Sequence, residues 1–154
     1  MRPLKFKSAT FSNKKKQIDI IYTNGKQATM HFGSVGIKKL IKEIKVDRET
    51  NGKSLKIIFE DESVDYLPYD QPLVIARDPE MLLQIHIERI IAKIKDAIAK
   101  KKISKRYIAN RLETSDNQVQ RLLNPAILNK NLSQLYKIAD LVGLEFEVHV
   151  KEVA

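Results

Sequence analysis

Ile103-Ser104-Lys105-Arg106-Tyr107-Ile108-Ala109-Asn110-Arg111-Leu112-Glu113-Thr114-Ser115-Asp116-Asn117-Gln118-Val119-Gln120-Arg121-Leu122-Leu123 is the stretch on which the fold turns. Ser104 stands where an N-cap would, and Tyr107, Ile108, Ala109 and Leu112 give the following segment one apolar side. Glu113-Thr114-Ser115 interrupts the pattern. Ser115 then caps a second short helix whose Val119, Leu122 and Leu123 are expected to face inward. Two short helices joined by about three residues have helix-turn-helix spacing. Ala109 is small where the helices must approach, and Leu112, Val119 and Leu122 fill the wedge between them. Asp116, Asn117, Gln118, Gln120 and Arg121 fall at the start and outer side of the second helix. Amide and guanidinium side chains there can offer donors and acceptors to base edges in a major groove. Asp116 suits the helix start better than a base contact.

Upstream, Pro68, Pro72 and Pro79 cluster ahead of this region. Asp78 is a good N-cap, Pro79 is favoured at the first helical position, and Glu80 complements the helix dipole. A helix is expected from there to about Lys101, with Leu83, Ile87, Ile90, Ile91, Ile94, Ala97 and Ile98 along one face. The predicted boundary is therefore 78/79, with domains 1–78 and 79–154. Downstream, Asn131 can cap a helix over Leu132 to Val142, with Gly143 as its stop. The final segment alternates Leu144, Phe146, Val148 and Val150 with Glu145, Glu147, His149 and Lys151, which predicts a strand. Its partner would be the N-terminal sheet or, by preference, the same strand of a second copy.

The first half has a period of mostly two. Ile18, Ile20 and Tyr22 alternate with Asp19 and Thr23, with Ile21 breaking the pattern, before Asn24-Gly25, which predicts a type I′ hairpin turn. Ala28, Met30 and Phe32 continue beyond it. A weaker strand spans Leu4 to Phe11, with Lys14-Lys15-Lys16 as its exposed turn. Ile37, Leu40, Ile41 and Ile44 recur at helical spacing behind Ser34, so a helix is expected over Val35 to Ile44. Leu55, Ile57 and Phe59 form a strand, and Asp61-Glu62-Ser63 turns into Val64, Tyr66 and Pro68. The predicted order is β-β-β-α-β-β. The expected fold class is α+β: that small domain, followed by an all-α helix-turn-helix domain with a C-terminal strand.

Composition bounds the function. The 154 residues include no Cys and no Trp, and carry a formal net charge of +9. Without Cys there are no disulfides, thiolate nucleophiles or Cys-based metal sites. His31, His86 and His149 are too scattered for an all-His site. No Gly-rich phosphate loop, paired-His motif or nucleophile elbow occurs. No catalytic residue, metal or cofactor is therefore expected. The acidic run Glu60-Asp61-Glu62 reads as a solvated turn. No apolar run approaches the roughly 18 residues of a membrane span, and Met1-Arg2-Pro3-Leu4-Lys5 lacks the apolar core of a secretory signal. The expectation is a cytoplasmic protein with no membrane partner. The charge points to a polyanion. Residues 93–130 hold ten basic and three acidic residues, a local charge of +7 around the helix pair.

The stretch from Ile103 to Leu123 resembles, in register, the helix-turn-helix family of phage repressors and Cro, the XRE family. Ala109, Leu112, Ser115 and Val119 stand where that family has its small residue, its wedge Leu, its cap and its inward Val. Glu113 replaces the usual turn Gly. The turn often needs positive φ, so Glu113 should cost about 1 kcal/mol. The resemblance covers the chain from Asp78 onward. The N-terminal half is loosely similar to a family of small uncharacterised bacterial α+β domains. That similarity rests on Ile20-Ile21-Tyr22-Thr23-Asn24-Gly25 and Ile58-Phe59-Glu60-Asp61-Glu62-Ser63 through Tyr69, with Glu62 where a turn Gly is usual.

The repressor resemblance implies a sequence-specific regulator that binds double-stranded DNA as a homodimer. Asn117, Gln118, Gln120 and Arg121 are the candidate base contacts. Lys105, Arg106, Ser115 and Lys130 are the candidate backbone contacts, with Lys130 in the loop before the last helix. The alternative is an antitoxin-type protein that binds a toxin partner and autoregulates its operon. The run Arg121-Leu122-Leu123-Asn124-Pro125 and the Leu-rich helix after it resemble such members.

Overall fold

The computed structural model describes residues 4–153; residues 1–3, which open the stretch weighed as a secretory signal, and residue 154 lie outside the described part. The described chain is mixed α+β, with two three-stranded antiparallel sheets and five α-helices. Its contacts divide it into two units, Met1–Met81 and Leu82–Ala154.

In the first unit, β1 (Phe6–Ser12), β2 (Gln17–Tyr22) and β3 (Gln27–His31) form one meander. The alternation of β2 does what its period requires: Ile18, Ile20 and Tyr22 are buried. The Tyr22 ring stacks on Phe6 at 5.2 Å, and its hydroxyl donates to the Tyr69 carbonyl at 2.6 Å. Burial pushes the Tyr22 phenol above its ordinary range, so it stays a neutral donor. The β2–β3 connection is not the expected type I′ turn. Only Gly25 takes positive φ there, at 86°, and its N–H donates to the Tyr22 carbonyl. Asn24 instead turns its side chain onto the Lys26 N–H, a local bond that Asn makes readily in place of the left-handed conformation.

The largest departure is residues 35–44. The expected helix is absent. A single 3₁₀ turn, Phe32–Val35, ends at Gly36, whose φ of 70° takes the chain out of the helix. The segment then becomes β4 (Ile41–Val46), paired with β5 (Ser54–Phe59). A register shift between Ile41 and Glu43 explains the misleading spacing. The extra residue of a bulge lets Ile41 and Ile44 lie on one side although they are three apart, which imitates a helical period. Leu40, which a helix would have buried, is 61% exposed, whereas Ile41 is 1% exposed.

The third strand of this sheet, β6 (Val64–Pro68), runs in the opposite phase to the expectation. Leu67 is buried and Tyr66 is 53% exposed. Leu67 pairs with Leu55, and Tyr66 with Lys56. A strand shifted by one residue exchanges its faces completely. Pro68 ends β6 at the edge of the sheet. The order in this half is thus β-β-β-β-β-β, two meanders in sequence, and β1 packs against β4. The Asn13 amide joins them. It donates to the Ile41 carbonyl at 2.9 Å and accepts the Ile41 N–H at 2.9 Å. A short helix that the sequence did not announce, α1 (Gln71–Ile75), follows and buries Pro72 and Leu73.

The long helix α2 (Pro79–Lys101) starts where expected. Asp78 accepts the Met81 N–H at 3.0 Å, an N-cap bond. Lys26 reaches Asp78 at 2.9 Å and Glu80 at 2.8 Å. In the second unit, Ile87, Ile91 and Ile94 of α2 pack with Ile108, Ala109, Val119, Leu122, Leu135 and Ile138. Asn131 caps α5 (Leu132–Leu141) by accepting the Gln134 N–H. The C-terminal strand is not formed: residues 144–150 pair with no other described strand. Leu144 and Phe146 lean on the helical core, Phe146 against Tyr136 with centroids 4.7 Å apart, while Val150 is 93% exposed. Alternation makes a strand only where a partner supplies the ladder.

The Lys26 ammonium beside Asp78, helped by the Met81 N–H, holds the Asp78 carboxyl below its ordinary value of 3.8. A carboxylate lowered by folding stabilises the fold fully above its unfolded value and loses that as acid protonates it. Asp78→Ala should therefore cost about 1 kcal/mol at neutral pH. The gap to the wild type should narrow once the pH falls below 3.8. Urea unfolding of both proteins from neutral to acid pH measures this; a constant gap would contradict it.

Candidate nucleic-acid interface

The helix pair is built from two hydroxyl caps. Ser104 accepts the Tyr107 N–H at 3.0 Å and starts α3 (Lys105–Arg111). Ser115 accepts the Gln118 N–H at 3.2 Å and starts α4 (Asp116–Leu122). Each cap satisfies a helical N–H that has no partner within its helix. Val119 and Leu122 of α4 are buried with Ile108 and Ala109 of α3, and Leu112 and Leu123 pack against them.

The turn between the helices is a Schellman motif. The Glu113 N–H donates to the Asn110 carbonyl and the Thr114 N–H to the Ala109 carbonyl. The motif requires a left-handed residue at the first position beyond the helix. Glu113 occupies it with φ 54°, as the missing turn Gly implied. The ends of α2 and α5 close in the same way, through Lys102 at φ 53° and Gly143 at φ 78°.

Helix α4 ends differently. Lys130 donates from Nζ to the carbonyls of Arg121 and Asn124, both at 2.6 Å. An ammonium at this end adds a charged donor to carbonyls that already accept the Asn124 and Ile127 N–H groups, and it neutralises the negative pole of the helix. Burial, together with the positive charges of Arg121 and Lys95, lowers the Lys130 pKa below its ordinary value. Two of its three N–H bonds are thus spent inside the chain. This clamp was not legible in the sequence, because its partners lie nine and six residues away across an irregular loop. Ser115 likewise has an internal task, as the α4 cap.

The remaining candidates share one surface condition. Asn117, Gln118, Gln120 and Arg121 on α4 are exposed. None of their side chains makes a hydrogen bond or ion pair with another described residue. Lys105 and Arg106, in the first turn of α3, are exposed as well and have no carboxylate partner. Of the ten cations from Lys93 to Lys130, only Lys100 has one among the described residues, Asp96 at 3.0 Å. Asp116 lies in the first turn of α4, where a carboxylate favours the helix dipole. No group of three or more acidic or His side chains among the described residues can hold a metal ion. No helix among them is long and apolar enough to cross a membrane.

The chain matches no family model, no curated protein and no solved structure.

Three substitutions test the geometry of this interface. Glu113→Gly relieves the left-handed strain and should stabilise the helical unit by about 1 kcal/mol, whereas Glu113→Ala keeps the strain and should bring no gain. Lys130→Met leaves the carbonyls at the end of α4 without their cation and should cost about 1–2 kcal/mol. Thermal unfolding followed by circular dichroism reads all three.

Proposed function

We propose that the chain is a sequence-specific DNA-binding regulator of transcription, which places α4 in the major groove. The observation that carries this is the outer face of α4. Four side chains with amide or guanidinium groups stand exposed there without internal partners, on a helix fixed at one end by a hydroxyl cap and at the other by an ammonium clamp. Such groups make the directional, paired hydrogen bonds that distinguish base pairs. Lys105, Arg106 and the hydroxyl of Ser115 take the phosphate side, which supplies affinity without sequence preference. Lys130 contributes mainly by fixing the end of α4. The resemblance of 103–123 to the repressor and Cro family supports the same reading.

Two copies would set their α4 helices in successive major grooves, about 34 Å apart. The alternating, unpaired segment 144–150 is the element we assign to joining them, strand against strand. Occupancy of such a site blocks a promoter, so the regulator acts as a repressor.

Selection from a pool of random duplexes tests the reading directly. A two-fold symmetric site should be enriched. On that site Gln118→Ala should weaken binding roughly tenfold and relax the preference at one base position. Lys105→Ala should weaken selected and random duplexes alike and lower the salt slope by about one. Enrichment of no site over random DNA would overturn it.

A further inference from the structure

The first unit carries a cationic surface that owes nothing to α3 or α4. Lys45 on β4 lies directly opposite Lys56 on β5, and Lys56 lies directly opposite Tyr66 on β6. The three make one row across the sheet, on the face away from the buried Leu55, Ile57 and Leu67. Lys7 of β1 and Arg48 of the β4–β5 turn join them around an open concavity of about 780 Å³, whose rim also includes Asp47 and Glu49.

This arrangement works against folding. Like charges placed directly opposite one another on a sheet repel. Among the described residues none of these four cations has a carboxylate within ion-pair distance, although Lys26, Lys39 and Lys42 in the same unit all do. The Asp47 carboxylate accepts the Glu49 N–H at 3.1 Å, and Glu43, on the same face as Lys45 and Lys56, forms no ion pair with any of these four cations. Tyr66 presents half its surface to solvent, and its hydroxyl has no partner among the described residues. A bare aromatic ring next to uncompensated cations is the combination that receives a base and its phosphates.

We propose that this face of β4-β5-β6 binds single-stranded nucleic acid, with a base stacked on Tyr66 and its flanking phosphates held by Lys45, Lys56, Lys7 and Arg48. The ring decides between occupants. A duplex keeps its bases stacked inside and offers Tyr66 nothing to cover. An acidic peptide would use the cations and leave the ring idle. The surface is separate from the α4 reading and stands or falls without it.

Fluorescence anisotropy with the full-length protein tests this, using short labelled oligouridylate, oligodeoxythymidylate, a hairpin duplex and oligoglutamate. The single strands should bind best. Tyr66→Ala should weaken them about tenfold, and Tyr66→Phe should retain binding. Lys45→Ala/Lys56→Ala should weaken them and flatten the salt dependence, while melting no lower than the wild type because the repulsion is gone. Arg106→Ala/Gln118→Ala, which tests the α4 reading, should leave single-strand binding unchanged. The proposal fails if no single strand binds, or if the α4 variant abolishes binding and the sheet variants do not. It also fails if duplex or oligoglutamate binds as tightly while Tyr66→Ala is silent.

Discussion

Seven residues make fewer than two turns of α-helix, and an isolated helix of that length is unstable in water. Both α3 and α4 are that short. They exist because Ile108, Ala109, Val119 and Leu122 bury against the isoleucine stripe of α2 and against Leu135 and Ile138 of α5. Everything that the outer face of α4 presents depends on this inner face. The caps at Ser104 and Ser115 and the clamp from Lys130 set where the two helices begin and end. The apolar contacts supply the free energy that keeps them helical. Changing Val119 or Ile138 to alanine would therefore disorder the exposed amides without touching them.

The helical unit was legible because its signals are local and redundant. Apolar spacing, hydroxyl caps and the break at Glu113 all point to the same elements, and the structure has them within a residue or two. Even the strain at Glu113 followed from one missing Gly. The first unit was read less well, for identifiable physical reasons. The bulge between Ile41 and Glu43 gave a strand the spacing of a helix. The phase of β6 depended on a pairing register that Leu67 and Tyr66 alone do not specify, since both suit a sheet. Residues 144–150 carry a correct pattern for a ladder that this chain does not supply. At the candidate interface, the exposed positions on α4 followed from helical phase, whereas the task of Lys130 depended on a loop path that no periodicity describes. The cationic row on β4-β5-β6 escaped notice because its members are far apart in sequence and meet only through register.

Charge gains meaning here from its partners rather than its sum. The net +9 is spread over both halves of the chain. Some of it is spent within the fold: Lys26 bridges a strand turn to the start of α2, Lys39 and Lys42 hold the acidic turn at Asp61 and Glu62, and Lys130 closes α4. Among the cations without a carboxylate partner, two groups stand close to other recognition groups: those around α3 and α4, and those on one face of the second sheet. A salt bridge on an exposed surface contributes little to stability. The unpaired cations matter more, since their field acts beyond the molecule and is screened only over about 10 Å at moderate salt.

The two meanders also bear on how the first unit assembles. Every strand pair in it joins neighbours along the chain, β1 with β2 and β2 with β3, then β4 with β5 and β5 with β6. Hairpins of this kind close short loops and form in microseconds. The bonds that unite the meanders span more chain: Asn13 to Ile41 across 28 residues, and the Phe6 N–H to the Gly52 carbonyl. Loop-closure entropy grows with the length enclosed. The contacts between the two ribbons thus carry the larger closure cost, and a single asparagine side chain, bonded both ways to one backbone residue, marks the seam where they meet.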